Sequence, residues 1–196
     1  MATENVTFTS GDGSCAADLY IPETGGDGRA IVIGHGFSFV KEALVENGKR
    51  FADAGLITLA IDYRTFGESP GEPRGQLFPM NFVEDYRNAI SFLENREEVD
   101  PGRIGIWGTS FGGATVIYTG AVDKRAKAVV AQVPVVNGYK WMKALRTSDQ
   151  WIELQEHLVE DRRQRYATGK GARVPVAGVG SRGEFCAMPV LSLIHI

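Results

Sequence analysis

The chain has 196 residues, 43% apolar and 23% charged, with 21 basic and 24 acidic side chains and a formal net charge of −3. That balance excludes a disordered tail, a collagen-like chain and the basic footprint of a nucleic-acid or anionic-membrane binder. Two cysteines, Cys15 and Cys186, are too few for a disulfide framework and have no metal-ligand spacing; no metal or organic cofactor is expected. There is no run of 18 apolar residues, and the opening MATENVTFTS lacks the basic and apolar regions of a secretory signal. The expectation is a cytoplasmic protein without a membrane partner.

In chain order, two short alternating segments at 6–10 and 15–21 predict a hairpin turning at Gly11-Asp12-Gly13. Residues 30–33 are wholly apolar and end at Gly34-His35-Gly36, which predicts a buried strand. Val40, Leu44, Gly48, Phe51 and Ala52 recur at helical spacing, with Gly55 as a C-terminal cap. A second buried strand spans 56–61, and a loop rich in glycine and proline fills 65–79, long enough for a functional role to be suspected. Phe82, Tyr86, Ala89, Ile90 and Leu93 mark an amphipathic helix. Residues 103–108 form a third buried strand, 112–120 a helix and 126–133 a fourth core strand. This alternation predicts the α/β class, a mostly parallel sheet with helices on both faces. Beyond Pro134 two polar helical stretches, 138–146 and 149–166, would form a cap or cover the sheet's flank. The expected organisation is a core over 1–136, a helical cap segment over 137–170 and an irregular tail over 171–196.

Gly108-Thr109-Ser110-Phe111-Gly112 matches G-x-S-x-G, a weak signal alone. Here an apolar strand runs straight in and a small-residue helix straight out, the strand–turn–helix setting that a nucleophile elbow requires. Gly108 and Gly112 would relieve clashes around a strained serine, and Ser110 would stand where a helix dipole favours developing negative charge. The alternative is an ordinary N-cap serine. For the oxyanion hole, the main-chain N–H groups of Phe37 and Phe111 are the candidates. His35 is expected to be structural rather than a base.

These residues resemble the α/β-hydrolase superfamily. His35-Gly36-Phe37 with Val40-Lys41-Glu42, then Asp62-Tyr63-Arg64 followed by Gly67-Glu68-Ser69, Val99-Asp100-Pro101 and Gln132-Val133-Pro134, resemble the branch of dienelactone hydrolases and Xaa-Pro dipeptidyl-peptidases. The resemblance covers about residues 3 to 170. It implies a serine hydrolase with a small-molecule acyl substrate and a Ser–His–Asp triad, in which serine attacks an acyl carbon and histidine takes its proton.

Ser110 carries over from that pattern, whereas the acid and the histidine do not. His157 lies in a charged helical stretch and reads as a surface residue. Glu184 and His195 are the remaining triad candidates, with no room between them for a helix and a strand. The end, residues 190–196, resembles a translated library adapter more than the family. The expectation is therefore an α/β-hydrolase fold with its last strands missing, whose fourth strand becomes a sheet edge and whose turnover is poor. Acyl transfer from the same serine and a non-catalytic binding module are the alternatives. Gly178-Val179-Gly180-Ser181-Arg182-Gly183 matches a dinucleotide fingerprint, but too little chain follows to complete such a site.

Overall fold

Apolar runs become strands where both faces can be covered. In the computed structural model, which describes residues 1–177 and 185–189, three such runs form β3 (Ala30–Gly34), β4 (Ile57–Ile61) and β5 (Ile104–Thr109), almost wholly buried. β1 (Ala2–Ser10) and β2 (Gly13–Ile21) form the opening hairpin, and β6 (Ala128–Gln132) follows β5. The six strands are ordered β1-β2-β4-β3-β5-β6. β4, β3, β5 and β6 run parallel, while β2 joins β4 antiparallel.

Alternation along β3 divides the core. Ile31 and Ile33 face one side with Ala60, Trp107, Leu44 and Ala52. Val32 faces the other with Leu59, Ile106, Phe82, Tyr86, Ile90 and Val116. Helix α1 (Val45–Asp53) therefore covers the first face, and α2 (Pro79–Glu94) and α3 (Phe111–Val122) the second. This is the expected α/β sheet with helices on both faces.

Four differences from the sequence reading have physical causes. β1 begins at Ala2 because its polar residues pair across to β2 as far as Ile21, without an apolar signal of their own. Residues Lys41–Leu44 form a 3-10 turn before α1. Helix α2 starts at Pro79, where a missing N–H has no cost in the first helical turn. The run at 126–133, read as a core strand, contributes only Ala128–Gln132, and most of these residues are exposed. Among the described residues no strand pairs with the outer edge of β6.

The chain divides into two units, Met1–Val136 and Asn137–Ile196. In the second, α4 (Gly138–Ala144) is capped by the Asn137 side chain, which accepts from the Lys140 N–H. Helix α5 (Ser148–Thr168) opens with a Thr147–Gln150 capping box and stops at Gly169, whose φ is +71°, a C-terminal stop suited to glycine. Arg146 donates to the Cys186 and Ala187 carbonyls at 2.8 Å each. Among the described residues no helix is long and apolar enough to cross a membrane.

Candidate active site

Ser110 occupies the turn between β5 and α3 with φ +55° and ψ −114°, a conformation that L-residues adopt only when their surroundings enforce it. It stands at the N-cap position, yet its side chain makes no capping hydrogen bond. The main chain is held instead from β6. Ser110 N–H donates to the Gln132 carbonyl at 2.8 Å, and Val135 N–H donates to the Ser110 carbonyl at 3.1 Å. The hydroxyl thus sits at the N-terminal end of a twelve-residue helix, where partial positive charge favours an anion.

Two glycines permit this turn. A Cβ at Gly108 would overlap the Gly112 carbonyl and come within 2.9 Å of the Tyr86 hydroxyl. One at Gly112 would overlap the His35 carbonyl oxygen and lie 3.0 Å from both the Gly34 carbonyl oxygen and the Tyr63 hydroxyl. Beneath them lies a fully buried tyrosine pair. Tyr86 donates to the Trp107 carbonyl at 2.9 Å, and Tyr63 to the His35 carbonyl at 3.2 Å, with the two hydroxyls 3.3 Å apart. Burial raises both phenols well above their ordinary range, so they remain neutral. They fix the ends of β3 and β5 by their carbonyls.

The loop after β3 approaches the serine from the opposite side to β6. A Cβ built on Gly36 would lie 3.2 Å from the Ser110 Cβ and 3.7 Å from its Oγ. Phe37, the next residue, and Phe111 meet edge-on with ring centroids 6.3 Å apart. Both candidate N–H donors therefore belong to segments bordering Ser110. His35 is 1% exposed. Its Nδ1 lies 3.0 Å from the Gly36 carbonyl oxygen, and its ring packs edge-on against Tyr63. Burial lowers its pKa to about 4, against the smaller opposing effects of the Gly36 carbonyl and Glu42.

The same loop is fastened at its far end. Asp62 accepts the Lys41 N–H at 2.7 Å and the Glu68 N–H at 2.9 Å; burial raises its pKa, and these two bonds partly offset that. Lys41 Nζ lies 2.9 Å from Glu68 and 3.0 Å from Asp18. Burial alone would lower this ammonium, but the carboxylates of Glu68 and Asp18 raise it above its ordinary value. The glycine- and proline-rich stretch after β4 serves here as a brace: the Ser69 hydroxyl donates to the Asp62 carbonyl and accepts from the Ala16 N–H.

Glu184, His195 and the glycine motif at 178–183 lie outside the described residues. His157 is on α5, stacked on Phe185 at 3.9 Å. Phe66 is buried against Phe82 and His35. Among the described residues no histidine hydrogen-bonds the Ser110 hydroxyl, and no cluster of His, Cys, Asp and Glu could hold a metal. Sequence reasoning missed the tyrosine pair and Val133. The tyrosines lie among apolar periodic positions and read as core. Val133 has φ +41°, which a Val-Pro pair gives no reason to expect.

The sequence profile of the acetyl xylan esterase (AXE1) family matches residues 71–169. The quorum-quenching protein AidA of Acinetobacter baumannii is 39% identical over 142 residues, 72% of this chain and 47% of that protein. Thiohydrolase aneE of Aspergillus aculeatus is 37% identical over 133 residues, 67% of this chain and 41% of that protein. Polyketide transferase ATR5 of Stachybotrys chlorohalonatus is 38% identical over 135 residues, covering 68% and 45%. The chain spans about half the length of the curated relatives it matches. A hypothetical protein of Pseudomonas aeruginosa superposes with TM-score 0.80 at 34% identity, over 93% of this chain and 59% of that one. The α/β hydrolase GrgF of Penicillium sp. sh18 gives TM-score 0.80 at 24% identity, over 98% and 64%. By sheet order, elbow geometry and sequence, the chain belongs to the acetyl xylan esterase (AXE1) family, on the α/β-hydrolase fold.

Proposed function

We propose that Ser110 is the nucleophile of a serine hydrolase that cleaves an ester or thioester through an acyl-enzyme. The observation that carries this reading is the main chain of Ser110. It has φ +55° at a helix N-terminus, and its hydroxyl is not spent on capping. In the reaction, Oγ attacks the acyl carbon, its proton passes to a base, and the carbonyl oxygen becomes an oxyanion. Phe37 N–H and Phe111 N–H receive that oxyanion, each such donor being worth about 3–4 kcal/mol in the transition state. Water then releases the acid. The base and its orienting acid are unassigned among the described residues, and loss of a triad histidine costs about 10⁶ in kcat. Slow turnover by the 196-residue chain is part of this proposal.

A fluorophosphonate probe tests it. Covalent labelling of the wild-type chain that disappears in Ser110→Ala supports the nucleophile. Equal labelling of both, or none of either, overturns it and leaves a binding module on a hydrolase fold. Acyl transfer is the second reading, favoured by the relatives named polyketide transferases. It differs only in the acceptor, an alcohol or amine in place of water, and an acceptor-dependent product would distinguish it.

A further inference from the structure

The strand order β3-β5-β6 sets Ser110, at the end of β5, between the loop after β3 and the turn after β6. The last ladder pair joins Thr109 to Gln132, so Ser110 and Val133 come next on adjoining strand ends. Gln132 and Val135 hold both main-chain polar groups of Ser110. The residue inside this clamp is Val133, at φ +41°. A β-branched side chain disfavours that conformation, and the following Pro134 disfavours it again. Glycine would adopt it without strain. Among the described residues the side chain does not repay the strain by packing, being 72% exposed. A valine that is strained and unpacked, one strand from the serine, has a side chain suited to a third party.

We propose that Val133 is a specificity-determining residue of the Ser110 site, its isopropyl group forming an apolar wall against the acyl chain of the substrate. This rests on the serine-nucleophile reading above. Phe37, on the loop after β3, supplies the apolar surface on that side, its ring meeting edge-on at 6.3 Å the ring of Phe111, which in turn packs on Phe82. The acyl chain thus lies in a slot with an aromatic wall on one side and a branched aliphatic wall on the other. The class of substrate selected is an acyl group with an alkyl or alkenyl chain, over acetyl.

The backbone makes Val133→Gly an unusually clean variant, because it deletes the side chain while easing the main chain. Labelling rates are measured with an octyl and a methyl fluorophosphonate on wild type and on Val133→Gly, alongside thermal unfolding. The expected result is a long-to-short rate ratio about tenfold lower in the variant, as partial burial of an isopropyl group supplies, with a melting temperature no lower than wild type. Val133→Asn, which also tolerates left-handed backbone, should lower the ratio similarly. An unchanged ratio, or a lowered melting temperature in Val133→Gly, overturns the proposal.

Absence of labelling in wild type would overturn the serine reading separately. The wall is then judged on Ser110→Ala by the methyl resonances of Val133 during titration with octanoate. Saturable movement supports it, and no movement overturns it.

Discussion

The imidazole of His35 offers a stability change whose size and sign follow from its surroundings. It is 1% exposed, and burial lowers its pKa from 6.5 to about 4. Between those values the unfolded chain binds a proton that the folded chain refuses, so stability falls as the solution is acidified. The contribution is fully present above pH 6.5 and gone below pH 4. At 1.36 kcal/mol per pH unit the drop from 6.5 to about 4 amounts to about 3.4 kcal/mol, about a quarter to two thirds of the stability of an ordinary domain. Asp62 lies 3.8 Å from His35 Nε2 and pulls the other way, so this figure is an upper value. Asp62 and Asp85 have pKa values raised by burial. They bind protons more readily when folded and give a slope of opposite sign in the acid range. Wild type must therefore be compared with a variant rather than read alone. Urea unfolding at pH 7 and pH 4, on wild type and on His35→Gln, isolates the imidazole: wild type should lose up to about 3.4 kcal/mol more than the variant. Equal losses, or an imidazole titration midpoint near 6.5 by NMR, would refute the reasoning.

Two further outcomes are expected. Gly112→Ala places a methyl group against the His35 carbonyl, with the Gly34 carbonyl oxygen only 3.0 Å away. It should cost about 1–3 kcal/mol or more in chemical unfolding and abolish fluorophosphonate labelling, whereas wild-type stability would contradict the elbow packing. Val129 and Val130 are both more than 40% exposed on β6, an edge strand among the described residues, which carries no charge. The 196-residue chain should therefore self-associate with rising concentration in sedimentation velocity, and Val130→Lys, a charge on an open edge, should suppress it.

The sheet was legible wherever burial on both faces demanded a nearly continuous apolar sequence, as at 31–33 and, broken only by Thr58, at Ile57–Ile61. It was less legible at its margins. The polar start of β1 is a strand only by pairing to β2, and the apolar run around Val129 does not distinguish a central strand from an edge. The position of Ser110 was readable because glycines and an apolar strand constrain the turn from both sides. The clamp on its main chain was not, since hydrogen bonds from Gln132 and Val135 depend on β6 lying beside β5. The φ of Val133 is likewise a product of tertiary structure, in a dipeptide whose local preference is extended.

Strand order also has a consequence for synthesis. β3 is made early but lies at the centre of the sheet, flanked by β4 on one side and by β5 on the other. Ala30 finds its partner Ile57 soon after translation, but must wait for Ile104. Until then one edge of the most apolar strand is open on the nascent chain. Closure of such distant pairings is slow, and an incomplete sheet is exposed to wrong partners meanwhile. The hairpin β1-β2 can dock on β4 before β5 exists, so the growing sheet has one finished side and one waiting side. The nucleophile turn, at the end of β5, takes shape only when that second side closes.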